Sequence, residues 1–336
     1  MTRERIGQGQ MKVYYGIADY SPPPAGTTLT IGNFDGVHRG HQAIVARAQA
    51  VASELGTPVV AMTFDPHPRE IIAPDRAPAR LVTLSEKLHL LAALGVDACV
   101  VLRSGPALLD QPAETFLVRL CEHYRPRAFV EGPDFNFGHG RAGSGQTLRF
   151  FGPRLGFAFH EIDMARCPEL PGAPSVHSAA IRAALREGRV DVAWAMLGRP
   201  YRIVGMVESG AGRGTGLGFP TANLSDIQHM LPQQAVYAAV AQCDDGSLHP
   251  AAVNIGPQLT FQVSTPRVEA HLLGWSAALN GRPLGLHLLR RLRGQVRYDS
   301  PAELAAQIRR DVAETRVAVA EAGGVTATTH PIPLVS

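Results

Sequence analysis

The chain has 336 residues, 45% hydrophobic and 18% charged, a globular composition long enough for two domains. Its 32 basic and 29 acidic residues leave a net charge of +3, too balanced to argue for a nucleic-acid partner. The start, MTRERIGQGQ, is polar and no apolar run approaches the ~18 residues of a membrane span, so neither secretion nor membrane insertion is expected, and a cytoplasmic protein is.

In chain order, Thr28–Gly32 reads as a strand, and His41–Leu55 as a helix with Ile44, Ala48, Val51 and Leu55 on its apolar face. Pro58–Phe64 follows as a strand, then a helix over Ser85–Leu94 with Leu84, Leu88, Leu91 and Leu94 as its stripe. Ala98–Leu102 is a strand, Pro112–His123 a helix with proline near its first turn, Arg127–Glu131 a strand, and Phe157–Ile162 a fifth strand. Repeated strand–helix units predict a parallel sheet covered on both faces, with ligands at the carboxyl ends of its strands.

The pattern changes near residue 165. Arg166–Ser175 is a Pro/Gly-rich loop, and short helices follow over Ser178–Glu187, with Ser178 as N-cap, and over Val190–Leu197. Tyr201–Val207, Ala235–Ala241, Val268–Leu273 and Leu284–Leu292 then read as strands without intervening helices, which predicts an antiparallel sheet or small barrel. A last helix covers Pro301–Ala320, and the termini 1–10 and 323–336 read as loosely ordered. The boundary falls near 185–198, giving domains at 12–187 and 188–322. Cys99, Cys121, Cys167 and Cys243 form no CxxC pair, which predicts reduced thiols rather than a zinc site.

Two segments carry chemistry. GNFDGVHRGH at Gly32–His41 joins a strand to a helix; Gly32, Gly36 and Gly40 allow close backbone approach, and His38 and His41 share one face of the helix start. Such a terminus favours anionic phosphate, although a tight turn is the alternative. GAGRGTGLGFPTAN at Gly210–Asn223 lacks the GK[ST] of a Walker A loop; its glycines suit a phosphate flap, or a simple hairpin, and Thr221 and Asn223 offer oxygen ligands of the kind Mg²⁺ takes.

GNFDGVHRGH resembles the adenylyltransferase motif of bacterial bifunctional riboflavin kinase/FMN adenylyltransferases. The resemblance continues through TFDPHP (Thr63–Pro68), EKLHLLAALGVD (Glu86–Asp97) and EGPDFNFGHGRAG (Glu131–Gly143), and GFPTAN resembles the riboflavin kinase signature. It covers about residues 13–316. It implies an α/β nucleotidylyltransferase domain with a Rossmann-like sheet, then a riboflavin-kinase-like antiparallel β-barrel with a C-terminal helix. It implies riboflavin, FMN and ATP as substrates, with Mg²⁺.

By the same resemblance, Gly32, Asn33, Phe34, Asp35, Gly36 and Gly40 bind ATP with His38 and His41 as the catalytic phosphate ligands, and Asp65, His67, Asp134 and Asn136 form the flavin side. Capping of turns is the alternative for Asp65, His67 and Asp134. Ser178 and Arg182 are implied as further phosphate ligands, in VHSAAIR, where the family carries a Ser-Ser-Thr-x-x-Arg-like motif; His177 and Ala179 replace hydroxyl residues there. Gly214, Gly216, Gly218 and Pro220 are implied at the second nucleotide, Thr221 and Asn223 at Mg²⁺, and Glu269 of VEAHLL as general base, the alternative being a solvent-facing strand residue. NIGPQLTF departs from the usual NIGxRPTF at Gln258 and Leu259, and Gly274 and Asn280 depart nearby. Two further readings are a kinase with weak or lost adenylyltransferase activity and a non-catalytic flavin-binding protein.

Overall fold

The computed structural model describes residues 4–6, 11–208, 218–258, 263–275 and 277–324. The chain divides into two compact units. One holds the residues up to Ala79, Leu84–Arg166 and Pro174–Val176; the other holds Arg80–Thr83, Cys167–Ala173 and the residues from His177 onward.

The first unit is a seven-stranded sheet in the order β1-β2-β5-β4-β3-β6-β9. Its strands are β1 (Glu4–Ile6), β2 (Met11–Tyr15), β3 (Thr27–Ile31), β4 (Val59–Asp65), β5 (Ala98–Arg103), β6 (Pro126–Glu131) and β9 (Ala158–Glu161). Only β1–β2 is antiparallel; the other pairs are parallel. Helices α1 (Arg39–Leu55), α2 (Pro68–Ile72), α3 (Leu84–Ala93), α4 (Pro106–Leu109), α5 (Ala113–Tyr124) and α6 (Gly145–Leu155) connect them, with a two-stranded β7 (Asn136–Phe137) and β8 (Gly143–Ser144). From β3 the chain adds β4 and β5 on one side and β6 and β9 on the other, so strand order reverses at β3/β6.

The central strand β3 is buried at every residue. Two of its three threonines give their hydroxyls partners: Thr27 donates to the Tyr124 carbonyl at 2.9 Å and Thr28 pairs with the Thr57 hydroxyl at 2.8 Å. Leu29, Met62, Val100, Leu117, Tyr124 and Phe129 centre the main core cluster. On α1 the buried face is Val45, Ala48, Val51 and Ala52, whereas Leu55 is 41% exposed. The helix starts two residues before the sequence pattern suggested, and its buried stripe is turned accordingly. At the edge strand β9, Glu161 pairs with Arg149 of α6, whose guanidinium lies 5.3 Å over the Phe159 ring.

The second unit opens with α7 (Ser178–Arg186) and α8 (Val190–Leu197) and continues as a closed barrel. The ring is β10 (Tyr201–Glu208), β11 (Ala222–Ser225), β14 (Val263–Leu272), β13 (Leu248–Gln258), β12 (Ala235–Cys243) and β15 (Pro283–Arg293), antiparallel at every junction. Helix α9 (Pro301–Glu321) covers β12, β13 and β15. The structure adds β1, β2, β7, β8, β11, β13, α2, α4 and α6 to the elements expected from sequence, and β1 lies inside the terminal stretch read as loose.

Among the described residues two ion pairs fasten α9 to the barrel, the exposed Arg290–Glu321 and the more buried Arg293–Asp311. Arg293 grips the carboxylate of buried Asp311 with Nε at 2.9 Å and a terminal nitrogen at 2.7 Å, and Gln307 donates to the same carboxylate at 2.9 Å. Removing one partner of a buried pair strands the other charge. Asp311→Ala is therefore expected to lower unfolding stability by about 3 kcal/mol, read as an earlier urea midpoint for the barrel. An unchanged midpoint would contradict a structural role for the pair.

All four cysteines are free, with Cys99, Cys167 and Cys243 buried. Burial pushes the Cys99 thiol up to about 12, so thiolate is scarce there at neutral pH. Among the described residues no helix is long and apolar enough to cross a membrane.

Candidate active sites

Parallel pairing places the loops after β3, β4 and β6 at one carboxyl edge of the first unit. The loop after β3 is tightly wound: Phe34, Gly36 and Val37 have φ of 45°, 87° and 40°. Two of these are not glycine, and that backbone is costly unless the surroundings hold it. Phe34 and Val37 are each 1% exposed, and the Val37 N–H donates to the Phe34 carbonyl at 3.1 Å. Burial of both side chains fixes the turn.

The loop delivers His38 as the N-cap of α1, its Nδ1 accepting from the His41 N–H at 3.4 Å. That bond makes Nδ1 the acceptor and leaves the proton of the neutral ring on Nε2. The His38 and His41 rings stack with centroids 3.6 Å apart and planes 17° from parallel. Gly40 is needed beneath them, because a Cβ there would sit 3.1 Å from the His38 ring and 3.3 Å from the Val176 carbonyl. Gly32, Asn33, Asp35 and Gly36 complete the loop; Asp35 is buried and Asn33 exposed. The two imidazoles anticipated from their spacing thus share one helix end, with backbone N–H groups around them.

Beneath the loop lies a polar connection that the sequence did not announce. Lys87 of α3, 7% exposed, donates to the Thr63 hydroxyl at 3.2 Å, and Thr63 donates to the Asn33 carbonyl at 3.2 Å. A lysine inside an apolar helix stripe is the signal that could have found it.

The other first-unit candidates divide. His67 caps α2, its Nδ1 accepting from Arg69 N–H at 3.1 Å, and its own N–H donates to Glu70 at 3.3 Å. Asp65 ends β4. Asp134 and Asn136 are exposed on the loop after β6, and the Asn136 amide donates to the Asp134 carbonyl at 2.7 Å. Phe135 and Phe137 beside them stack at 5.4 Å, an aromatic face at the loop.

Ser178 and Arg182 lie on α7, grouped with the second unit. The N-cap is His177, not Ser178: its Nδ1 accepts from the Ala180 N–H at 3.1 Å, and Ser178 is the first helical residue. Imidazole here does what a serine or threonine hydroxyl does at such a cap.

In the barrel, register brings the second constellation together. Asn223 of β11 faces Glu269 of β14, and Glu269 faces Asn254 of β13. Directly opposed residues of antiparallel strands project to the same side, so the three form a row. All three are half-buried. The Asn254 amide donates to the Glu269 carboxylate at 3.5 Å, and the Gln295 amide holds the Asn254 oxygen at 2.8 Å. Sequence reasoning did not single out Asn254 or Gln295. Thr221 and Pro220 are exposed at the start of β11, and the Pro220 carbonyl meets the His271 ring nitrogen at 2.8 Å. Gly218 has φ of 83°. Gly214, Gly216 and Leu259 lie outside the described residues, as does the side chain of Gln258.

Among the described residues no three His, Cys, Asp or Glu side chains cluster as a metal centre. Asn223, opposite Glu269, and Thr221, two residues before Asn223, offer neutral oxygens, hard donors of the kind Mg²⁺ takes.

Residues 21–169 match the FAD synthetase family model and residues 197–319 the riboflavin kinase model. The bifunctional riboflavin kinase/FMN adenylyltransferase of Escherichia coli K12 is 37% identical over 303 residues, covering 90% of this chain and 96% of that protein. The protein of the same description from Pseudomonas fluorescens is 36% identical, covering 92% and 98%. A crystal structure described as a macrolide-efflux protein from Streptococcus pneumoniae aligns with TM-score 0.80 over 90% of this chain and 98% of its own; at 24% identity that likeness shows the fold alone. With both family models in order and these relatives matched over nearly their whole length, the chain belongs to the bifunctional riboflavin kinase/FMN adenylyltransferase family.

Proposed function

We propose that the chain makes FAD from riboflavin in two ATP-dependent steps, with residues 12–187 adenylylating FMN and residues 188–322 phosphorylating riboflavin. The observation that carries this reading is the pairing of two motif sets with two family matches along one chain.

In the kinase step Glu269 takes the proton of the riboflavin 5′-hydroxyl as that oxygen attacks the γ-phosphorus of ATP and ADP leaves. The row from Asn223 to Asn254 supports this role by fixing the carboxylate beside the PTAN segment. Thr221 and Asn223 would hold Mg²⁺, which supplies neutralisation of phosphate charge. Gly214, Gly216, Gly218 and Pro220 cover the nucleotide.

In the adenylylation step a phosphate oxygen of FMN attacks the α-phosphorus of ATP and pyrophosphate leaves. No enzyme nucleophile is needed; positioning and electrostatic stabilisation suffice. His38 and His41, with the N–H groups from Gly32 to Gly40, receive the phosphates; Ser178 and Arg182 are assigned to phosphate by the family motif alone. Asp65, His67, Asp134 and Asn136 line the flavin side. His177 supports this assignment despite the altered motif, because the cap on α7 is kept. The substrates are small and the working place is the cytoplasm, without nucleic acid or membrane.

The test is direct. Purified protein is given riboflavin, ATP and Mg²⁺, and separately FMN, ATP and Mg²⁺, and the flavins are resolved by chromatography. FMN from the first and FAD from the second are expected. FMN without FAD would refute the adenylylation step, and no product from either would refute the enzyme reading.

A further inference from the structure

The ladder between β3 and β6 ends before the strands do. Its last backbone pair is Leu29 with Phe129, although β3 runs to Ile31 and β6 to Glu131. On its other side β3 stays paired with β4 through Ile31 and Met62. The strands therefore part on the side where strand order reverses, the place where open α/β sheets bind ligands. A side chain spans the opening. The N–H of Ile31 donates to the Glu131 carboxyl oxygen at 2.7 Å, and Glu131 is 2% exposed.

Both ends of this bridge are anchored. The backbone of Glu131 is paired with β9 through Glu161, and its carbonyl accepts from Ile162 N–H at 2.9 Å. At the far end, the residue after Ile31 is Gly32, whose N–H donates to the Met62 carbonyl at 3.0 Å. The phosphate loop starts from that point. Burial pushes the Glu131 carboxyl well above the usual carboxylate range, partly opposed by the Ile31 N–H. Glutamine has the same length and keeps a side-chain oxygen to accept from the Ile31 N–H.

We propose that Glu131 is a positioning residue for adenylyl transfer: its side chain bridges the opening between β3 and β6 and fixes where the Gly32–His38 loop begins. The inference rests on the adenylylation reading of the first unit. The Gly32 bond to the Met62 carbonyl holds the start of the loop from the β4 side, and the Glu131 bridge to Ile31 holds it from the β6 side.

The experiment compares Glu131→Gln and Glu131→Met, measuring FAD formation from supplied FMN and FMN formation from riboflavin on the same preparations. Glu131→Gln should keep kcat/KM for ATP within about threefold of wild type, and Glu131→Met should lower it at least about tenfold. In the methionine variant KM for ATP should rise, KM for FMN should stay within about twofold, and riboflavin phosphorylation should not change. A mere loss of folded protein would lower kcat and leave both KM values alone, and that pattern would overturn the proposal. So would a methionine variant equal to wild type, or a glutamine variant as impaired as methionine. If Glu131→Met does not fold, Glu131→Asp, which withdraws the acceptor by one methylene, is read by the same criteria. Wild-type protein that forms FMN but no FAD overturns the adenylylation reading and the inference with it. Active wild type with an indifferent methionine variant overturns the inference alone.

Discussion

Glu269→Gln should lower riboflavin phosphorylation by roughly 10²–10⁴-fold, the usual contribution of a general base, while FAD formation from supplied FMN stays at the wild-type rate. Glutamine keeps the length of the side chain and an oxygen for the Asn254 amide, which donates to Glu269 at 3.5 Å. It loses only the capacity to take a proton. The loss should therefore fall on kcat, with KM for riboflavin little changed. The two steps are assigned to different units, so the intact adenylylation rate reports a folded first unit, and an unchanged KM for riboflavin reports a folded barrel. Equal loss of both activities would contradict the assignment.

The complementary result concerns the stacked histidines. His38→Ala and His41→Ala should each reduce FAD formation by about 10²–10³-fold, as removal of a donor to a developing oxyanion does, and leave riboflavin phosphorylation intact. His38 also caps α1, so alanine confounds two roles. His38→Asn separates them, because asparagine accepts the N3 N–H at an N-cap as well as any residue. If His38 acts on phosphate, His38→Asn remains impaired in FAD formation; recovery to the wild-type rate would reduce the residue to a cap. Rings 3.6 Å apart are expected to be coupled, and the double variant should lose less than the product of the single losses.

How far the sequence led depended on range. The Gly32–His41 loop was legible because strand, glycines and helix are contiguous, and the α/β and barrel halves were legible from the change in period. Register was not. Asn223, Glu269 and Asn254 form a row only once β13 is placed between β14 and β12, and β13 carries Pro250, Gly256 and Pro257, which hide it as a strand. Four-residue β11 is too short to show alternation. The helix faces were legible to within a rotation: on α1 Ala48 and Val51 are buried as expected, yet Val45 and Ala52 replace Ile44 and Leu55, because packing against the sheet decides between equally apolar neighbours. The cap of α7 fell to His177 because imidazole nitrogen accepts as well as the expected serine oxygen. Glu131 looked like a strand terminus, since nothing local says that the neighbouring ladder stops two residues early.

The contrast between a closed ring and an open sheet bears on how the protein fails. The barrel leaves no strand without two neighbours, so it offers no template onto which another chain can add. The first unit ends in single-sided strands, β9 among them. Self-association under heat or crowding should therefore begin in the nucleotidyl half. At β9 the hazard is blunted by its four-residue length and by the Arg149–Glu161 pair, which places charge along the unpaired rim.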